Sequence, residues 1–161
     1  MNKFEKIFGS GPKGLLISLS LLAIFLFIEK FLSSLQITDN NILRYSIFGV
    51  LSLLTATIII WSIKSLPPHD RGNKLITFGA FKYFRHPLYA AFLTFFNFGL
   101  AVLLNNWIYI IWALAQHPVW HWNIRGEEKL MEKEFPGEYE KYSQETGRFF
   151  PKFSKKIKNA T

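Results

Sequence analysis

Between Arg85 and Arg125 the chain carries no Asp, Glu, Lys or Arg. The stretch is interrupted by the polar pair Asn105-Asn106, which leaves two apolar runs of about 18 residues, each covering about 27 Å as a helix against a hydrocarbon core of about 30 Å. Two crossings return a chain to the side on which it started. The motif Arg85-His86-Pro87-Leu88-Tyr89 at one end and the pair Glu127-Glu128 just past the other are therefore expected to meet at one membrane face.

Half of the residues are hydrophobic and 17 of the 161 are Phe, a content high for a soluble domain and suited to a small polytopic membrane protein. The expected fold is all-α: a single domain over 1–161, built as a membrane bundle of about four transmembrane helices at about 14–37, 45–63, 87–104 and 107–124. The last two form a hairpin, and an amphipathic cytoplasmic helix and tail follow over 125–161. Pro67-Pro68 ends the second span. The charged start with Lys3, Lys6 and Lys13 also describes a signal peptide, but Ser33-Ser34 is a poor cleavage signature, so the first span is read as retained.

Basic residues cluster before the first span and in the second connection, at Lys64, Arg71, Lys74, Lys82 and Arg85, whereas the other two connections offer Lys30 and Arg44. The positive-inside rule then places both termini in the cytoplasm. With a net charge of +8 beside apolar spans, anionic lipid headgroups are the expected electrostatic partner; nucleic acid binding would leave the spans unexplained. The tail around Lys152 and Lys155 to Lys158 suits an anionic leaflet, or is a solubilising extension. The absence of Cys excludes disulfides, thiol catalysis and cysteine-ligated zinc.

Seven of the eleven acidic residues fall between Glu127 and Glu145. In that segment Leu130, Met131, Phe135, Tyr139 and Tyr142 can share one helix face, with Pro136-Gly137 breaking the helix near its middle.

Pro87 suits the first turn of a helix, where its missing N–H costs nothing, so His86 and Arg85 sit at a helix N-terminus. Free N–H groups and the Arg85 charge favour an anion there; an interfacial Arg and His flanking a span, with Tyr89 in an aromatic belt, is the plainer alternative. Glu127 and Glu128 either favour the dipole of the helix they open or hold a cationic or hydroxyl-rich ligand, with Arg125 near enough to pair with either. His117 and His121 share a helix face beside Pro118. A third metal ligand with clear spacing is missing, so the pair is expected to line a polar pocket together with Gln116 rather than hold a metal. The segment from Leu75 to Phe81 is too short to span and either lies along such a pocket or is a bland interfacial loop.

Leu75, Thr77, Gly79, Phe81, Arg85-His86-Pro87 and Tyr89, then Glu127-Glu128 with Phe135, Tyr139 and Tyr142, then Arg148 and Pro151, occur in order around a membrane hairpin. Over its C-terminal half the chain thereby resembles the isoprenylcysteine carboxyl methyltransferases and their phospholipid methyltransferase relatives. Phe81 stands where the family often has Tyr, and Pro136-Gly137 replaces a Phe-Gly step.

The resemblance implies methyl transfer from S-adenosylmethionine to a lipophilic or membrane-delivered acceptor. By position, Leu75, Thr77, Gly79, Arg85, His86, Pro87 and Tyr89 would bind the methyl donor, and Glu127 or Glu128 would hold its ammonium or ribose hydroxyls. Arg148 or Arg125 could orient a carboxylate acceptor, and His117 or His121 could take a proton from an amine or thiol. Prenylated protein, phospholipid amine and small thiol all stay open as acceptors, as does the oligomeric state. Competing readings are a nicotinamide-dependent membrane reductase and a non-catalytic protein that keeps the fold.

Overall fold

The computed structural model describes residues 9–32, 35–67 and 73–152. Lys3, Lys6, Ser33-Ser34, Pro68, Arg71 and the basic tail beyond Lys152 lie outside the described residues. Among the described residues six α-helices follow one another, with a short 3₁₀ turn at Gly79–Lys82 between the second and third: α1 Gly11–Glu29, α2 Asn41–Ser65, α3 Pro87–Leu104, α4 Trp107–Asn123, α5 Arg125–Glu134 and α6 Glu138–Glu145. There is no β-strand among the described residues. Three helices, α1, α2 and α3, are long and apolar enough to cross a membrane. The fourth expected span, α4, is a helix of 17 residues, about 25 Å long.

The helices pack side by side in the order α2, α3, α4, α1. On α1 and α2, Leu16, Phe27, Val50 and Leu53 are among many large apolar side chains left exposed, which suits surfaces that face lipid. Polar residues inside α2 are reconciled with that setting by bonding back to their own helix. Thr55, Ser62 and Ser65 donate to the carbonyls of Leu51, Ile58 and Trp61 at 2.8, 2.6 and 2.8 Å.

The first span corrects its expected boundaries. It was expected to run to about residue 37, but α1 ends at Glu29, whose carboxylate accepts from Asn106 Nδ2 at 3.1 Å and from the Tyr109 hydroxyl at the α3–α4 turn. Past Glu29 the α-helical bonding gives way to tighter turns, with Phe31 N donating to the Ile28 carbonyl at 3.0 Å and Leu32 N to the Glu29 carbonyl at 3.1 Å. The chain then runs along the turn, with Thr38 N donating to Asn105 Oδ1 at 3.1 Å and Trp107 N to the Leu35 carbonyl at 3.0 Å. The second helix is longer than expected at both ends; it starts early because the Asn40 side chain caps it by accepting from Leu43 N at 3.0 Å, and it runs on to Ser65.

The hairpin itself has the expected ends. Pro87 opens α3, Asn105 turns the chain in the left-handed region (φ 57°), and Asn106 caps α4 by accepting from Ile108 N at 3.1 Å. Within α3, Ala91–Phe96 is a π-helical stretch. Gly99 lets α3 approach α2 closely, since an added Cβ would lie 3.1 Å from Leu51 Cβ. Past α4 the helix breaks between Glu134 and Glu138, at Pro136-Gly137, with Gly137 at φ 78°.

Candidate functional site

The α3–α4 hairpin brings Arg85-His86 and Glu127-Glu128 into direct contact. Glu128, at the start of α5, is the centre of the cluster. Arg85 Nη1 stands 3.3 Å from its Oε1, and Arg148 donates to both of its oxygens, through Nε at 3.1 Å and through Nη2. Such a bidentate fork fixes orientation as well as charge. Arg148 reaches this point because residues 147–148 run parallel to residues 84–86. Arg85 N donates to the Gly147 carbonyl at 2.8 Å, and His86 N to the Arg148 carbonyl at 3.2 Å.

Glu127 occupies a second niche. Its Oε1 accepts from the Tyr89 hydroxyl at 2.9 Å and from the Ser10 backbone N–H, while its Oε2 lies 3.4 Å from His86 Nδ1. His86 bridges the two acids, with Nε2 3.5 Å from Glu128 Oε1. Its ring stacks on Tyr89 at 5.5 Å, and Tyr89 packs in turn on Trp120 at 4.6 Å.

Burial and charge act against each other here. Burial alone would raise the Glu128 pKa, but the close approach of His86, the hydrogen bonds from Arg148 and the charge of Arg85 hold it down at about 2. Glu127 is likewise held below the usual carboxylate range against its burial, chiefly by His86. Burial pulls the His86 imidazole down, yet the two acids outweigh it and keep its pKa above the ordinary value. Burial raises the Tyr139 hydroxyl, and the facing Glu128 charge raises it further.

Arg85, His86 and Glu127 line a cavity of about 450 Å³ whose remaining wall includes Leu75, Ile76, Phe81, Leu130, Met131 and Phe135. Arg85 Nε is buried there without a hydrogen-bond partner. Of the other residues proposed from sequence, Thr77 lines a separate groove with Lys82 and Glu138. Gly79 holds a left-handed turn (φ 60°) packed on Ser65, whose Oγ accepts from Ala80 N at 3.3 Å. Pro87 is a buried helix start.

Two side-chain placements are corrected. Arg125 is near enough in sequence to pair with Glu127 or Glu128, but it is exposed, and the arginines on Glu128 are Arg85 and Arg148, from the far end of the hairpin and the returning C-terminal segment. Gln116 does not share a pocket with His117 and His121. About 100° of helical rotation separates neighbouring residues, so Gln116 faces α1 and accepts from Ser18 Oγ at 2.8 Å. The histidines face the C-terminal segment: His121 lies 4.8 Å from the Phe149 ring, and His117 stacks on Phe150 at 5.4 Å. Arg148 Nη1 lies 3.2 Å from His121 Nδ1. Guanidinium only donates, so that nitrogen is the acceptor.

Gly9 and Ser10 were absent from the residues proposed from sequence, because nothing in their local pattern reports that α1 begins beside α5. Tyr139 was noted only as part of an apolar helix face, yet its hydroxyl faces Glu128.

A helical membrane bundle with a buried ion-pair cluster beside a cavity at one end defines the class of protein. The sequence model of the isoprenylcysteine carboxyl methyltransferase (ICMT) family matches residues 41–133, more than half of the chain. The chain belongs to that family, whose members are membrane methyltransferases. No curated protein sequence matches it.

Proposed function

We propose that this protein transfers a methyl group from S-adenosylmethionine to a lipophilic acceptor delivered from the bilayer, at the cytoplasmic rim of α3 and α4. The observation that carries the proposal is the convergence of Arg85, His86 and Glu127 on one largely apolar cavity in a chain of this family. The residues fit the donor's chemistry. Glu127, ionised over the whole neutral range, suits an ammonium or ribose hydroxyls; Arg85 Nε is a buried donor lacking a partner, suited to a carboxylate; Phe81 and Phe135 offer aromatic surface to an adenine ring.

S-adenosylmethionine, when bound, supplies a methyl sulfonium that is already activated, so the chain's work is alignment and exclusion of water. Tyr89 and His86 fix the Glu127 carboxylate, and Arg85 and Arg148 fix that of Glu128. On the α4 side, Arg148 would orient a carboxylate acceptor with the N–H groups that Glu128 and His121 leave over. For an amine or thiol acceptor His117 is the better proton acceptor, because its Nδ1 is buried without a hydrogen-bond partner while His121 Nδ1 is taken by Arg148. Both termini would face the cytoplasm, where the basic surface would meet anionic headgroups.

Calorimetry on the protein in nanodiscs should show binding of S-adenosylmethionine and of its demethylated product, weakened in Glu127→Gln and His86→Ala. Labelled methyl should pass from the donor into a component of a membrane extract. Tight binding of a reduced nicotinamide, with none of the methyl donor, would overturn the proposal.

A further inference from the structure

We propose that Gly9 and Ser10, the strap leading into α1, are positioning residues that set the orientation of Glu127 and complete the wall of the cavity beside it. The inference rests on the donor site proposed above and adds to it a segment lying outside the family match, which begins at residue 41. Ser10 N donates to Glu127 Oε1, the oxygen that also accepts from Tyr89. With Oε1 committed to these two donors, the carboxylate is pinned and Oε2 is left on the side of His86, with Glu127 and His86 both lining the cavity.

The strap is itself held from both sides. Ser10 Oγ donates to the Asn123 carbonyl at 3.2 Å, Asn123 Nδ2 donates to the Ser10 carbonyl at 3.1 Å, and Gly14 N donates to the same carbonyl at 2.8 Å. Further along α1, Gly14 lies against the Trp120 ring, a contact that an added Cβ would close to 2.5 Å. The anchorage explains why position 9 is a glycine. Its φ is +54°, and a Cβ there would run into the Glu127 carboxylate, so a side chain at this position would displace the group that the strap holds.

Ser10 has φ −81°, within the range of proline, so Ser10→Pro deletes the N–H that reaches Glu127 and puts the ring Cδ where that hydrogen pointed, displacing the carboxylate. Ser10→Ala keeps the N–H. Binding of S-adenosylmethionine to the full chain in nanodiscs should weaken about tenfold in Ser10→Pro and in Gly9→Ala, and by no more than about twofold in Ser10→Ala. Ser10→Ala should keep the parent's unfolding temperature, whereas Ser10→Pro and Gly9→Ala lower it by a few degrees and remain folded at the assay temperature, with their loss falling on the KM for the donor more than on kcat. Parent-like binding by Ser10→Pro or Gly9→Ala, or a loss of affinity matched by a loss of fold in both, overturns the strap's role while leaving the donor site standing. A parent protein that binds no S-adenosylmethionine overturns the donor site and this inference together.

Discussion

Replacing Glu128 with Gln removes the shared partner of two half-buried guanidinium groups. Glu128 is 5% exposed, is held bidentately by Arg148 and stands 3.3 Å from Arg85 Nη1. Its carboxyl titrates at about 2 instead of 4.5, and at about 1.4 kcal/mol per unit the charged form adds about 3 kcal/mol to the folded state. Because the folded-state value is the depressed one, this contribution is complete above about pH 4.5 and disappears as pH falls to about 2. Glu128→Gln should therefore cost about 3 kcal/mol near neutrality, matching the cost of leaving a buried cation without its counter-ion. The difference between parent and variant should shrink towards pH 2. Reversible unfolding in mixed micelles, followed by tryptophan fluorescence, measures both, and a cycle with Arg148→Gln should return a coupling of about 1–3 kcal/mol. A loss below about 1 kcal/mol at neutral pH, or a difference that stays constant through the acid range, would refute the reasoning.

Ser18 accepts from Trp120 Nε1 at 2.9 Å and donates to Gln116, so Ser18→Ala should leave two buried polar groups unpaired and cost about 2 kcal/mol in the same unfolding assay. Gly79→Ala should cost about 1–3 kcal/mol, because the left-handed turn disfavours a side chain and the added Cβ meets Ser65; a neutral result would mean that the turn is not held as described. Charged His86 stabilises the fold fully below its unfolded pKa of about 6.5, and the contribution is lost as pH rises through the higher folded value. His86→Gln should therefore lack the alkaline decline in stability that the parent shows.

What was legible in the sequence was whatever depends on even crossing and local chemistry. Arg85 and Glu128 were expected to meet because an uncharged double span joins them, and they stand 3.3 Å apart. Pro87 and Asn105-Asn106 marked the hairpin because proline and Asn have specific backbone uses. Contacts that depend on lateral packing were not legible. Gln116 and His121 both looked like pocket residues from their composition, yet they sit on different sides of α4, and only the position of α1 decides that Gln116 meets Ser18. Arg148 was identified by motif, but its role as the second arm on Glu128 comes from residues 147–148 pairing with 84–86, a register that no local pattern announces. The early end of α1 was invisible for a similar reason: the partners of Glu29, Asn106 and Tyr109, lie on the far hairpin.

The charge balance of the cluster links the proposed donor to a proton. Arg85 and Arg148 offset Glu127 and Glu128, and His86, whose pKa is raised by those same acids, adds a further positive charge when protonated. Imidazolium at His86 sits 3.4 Å from Glu127 Oε2, the oxygen not already committed to Ser10 and Tyr89. A ligand ammonium seeking Glu127 would compete for that oxygen, and a sulfonium nearby would disfavour a second cation on the imidazole. Binding of S-adenosylmethionine should therefore release a proton from His86, whereas the demethylated product, with its neutral thioether, should release less. Calorimetry near neutral pH in buffers of differing ionisation enthalpy reads this directly. The apparent binding enthalpy should vary with the buffer for the parent and lose most of that variation in His86→Gln; a parent enthalpy independent of the buffer would sever the link between the donor and His86.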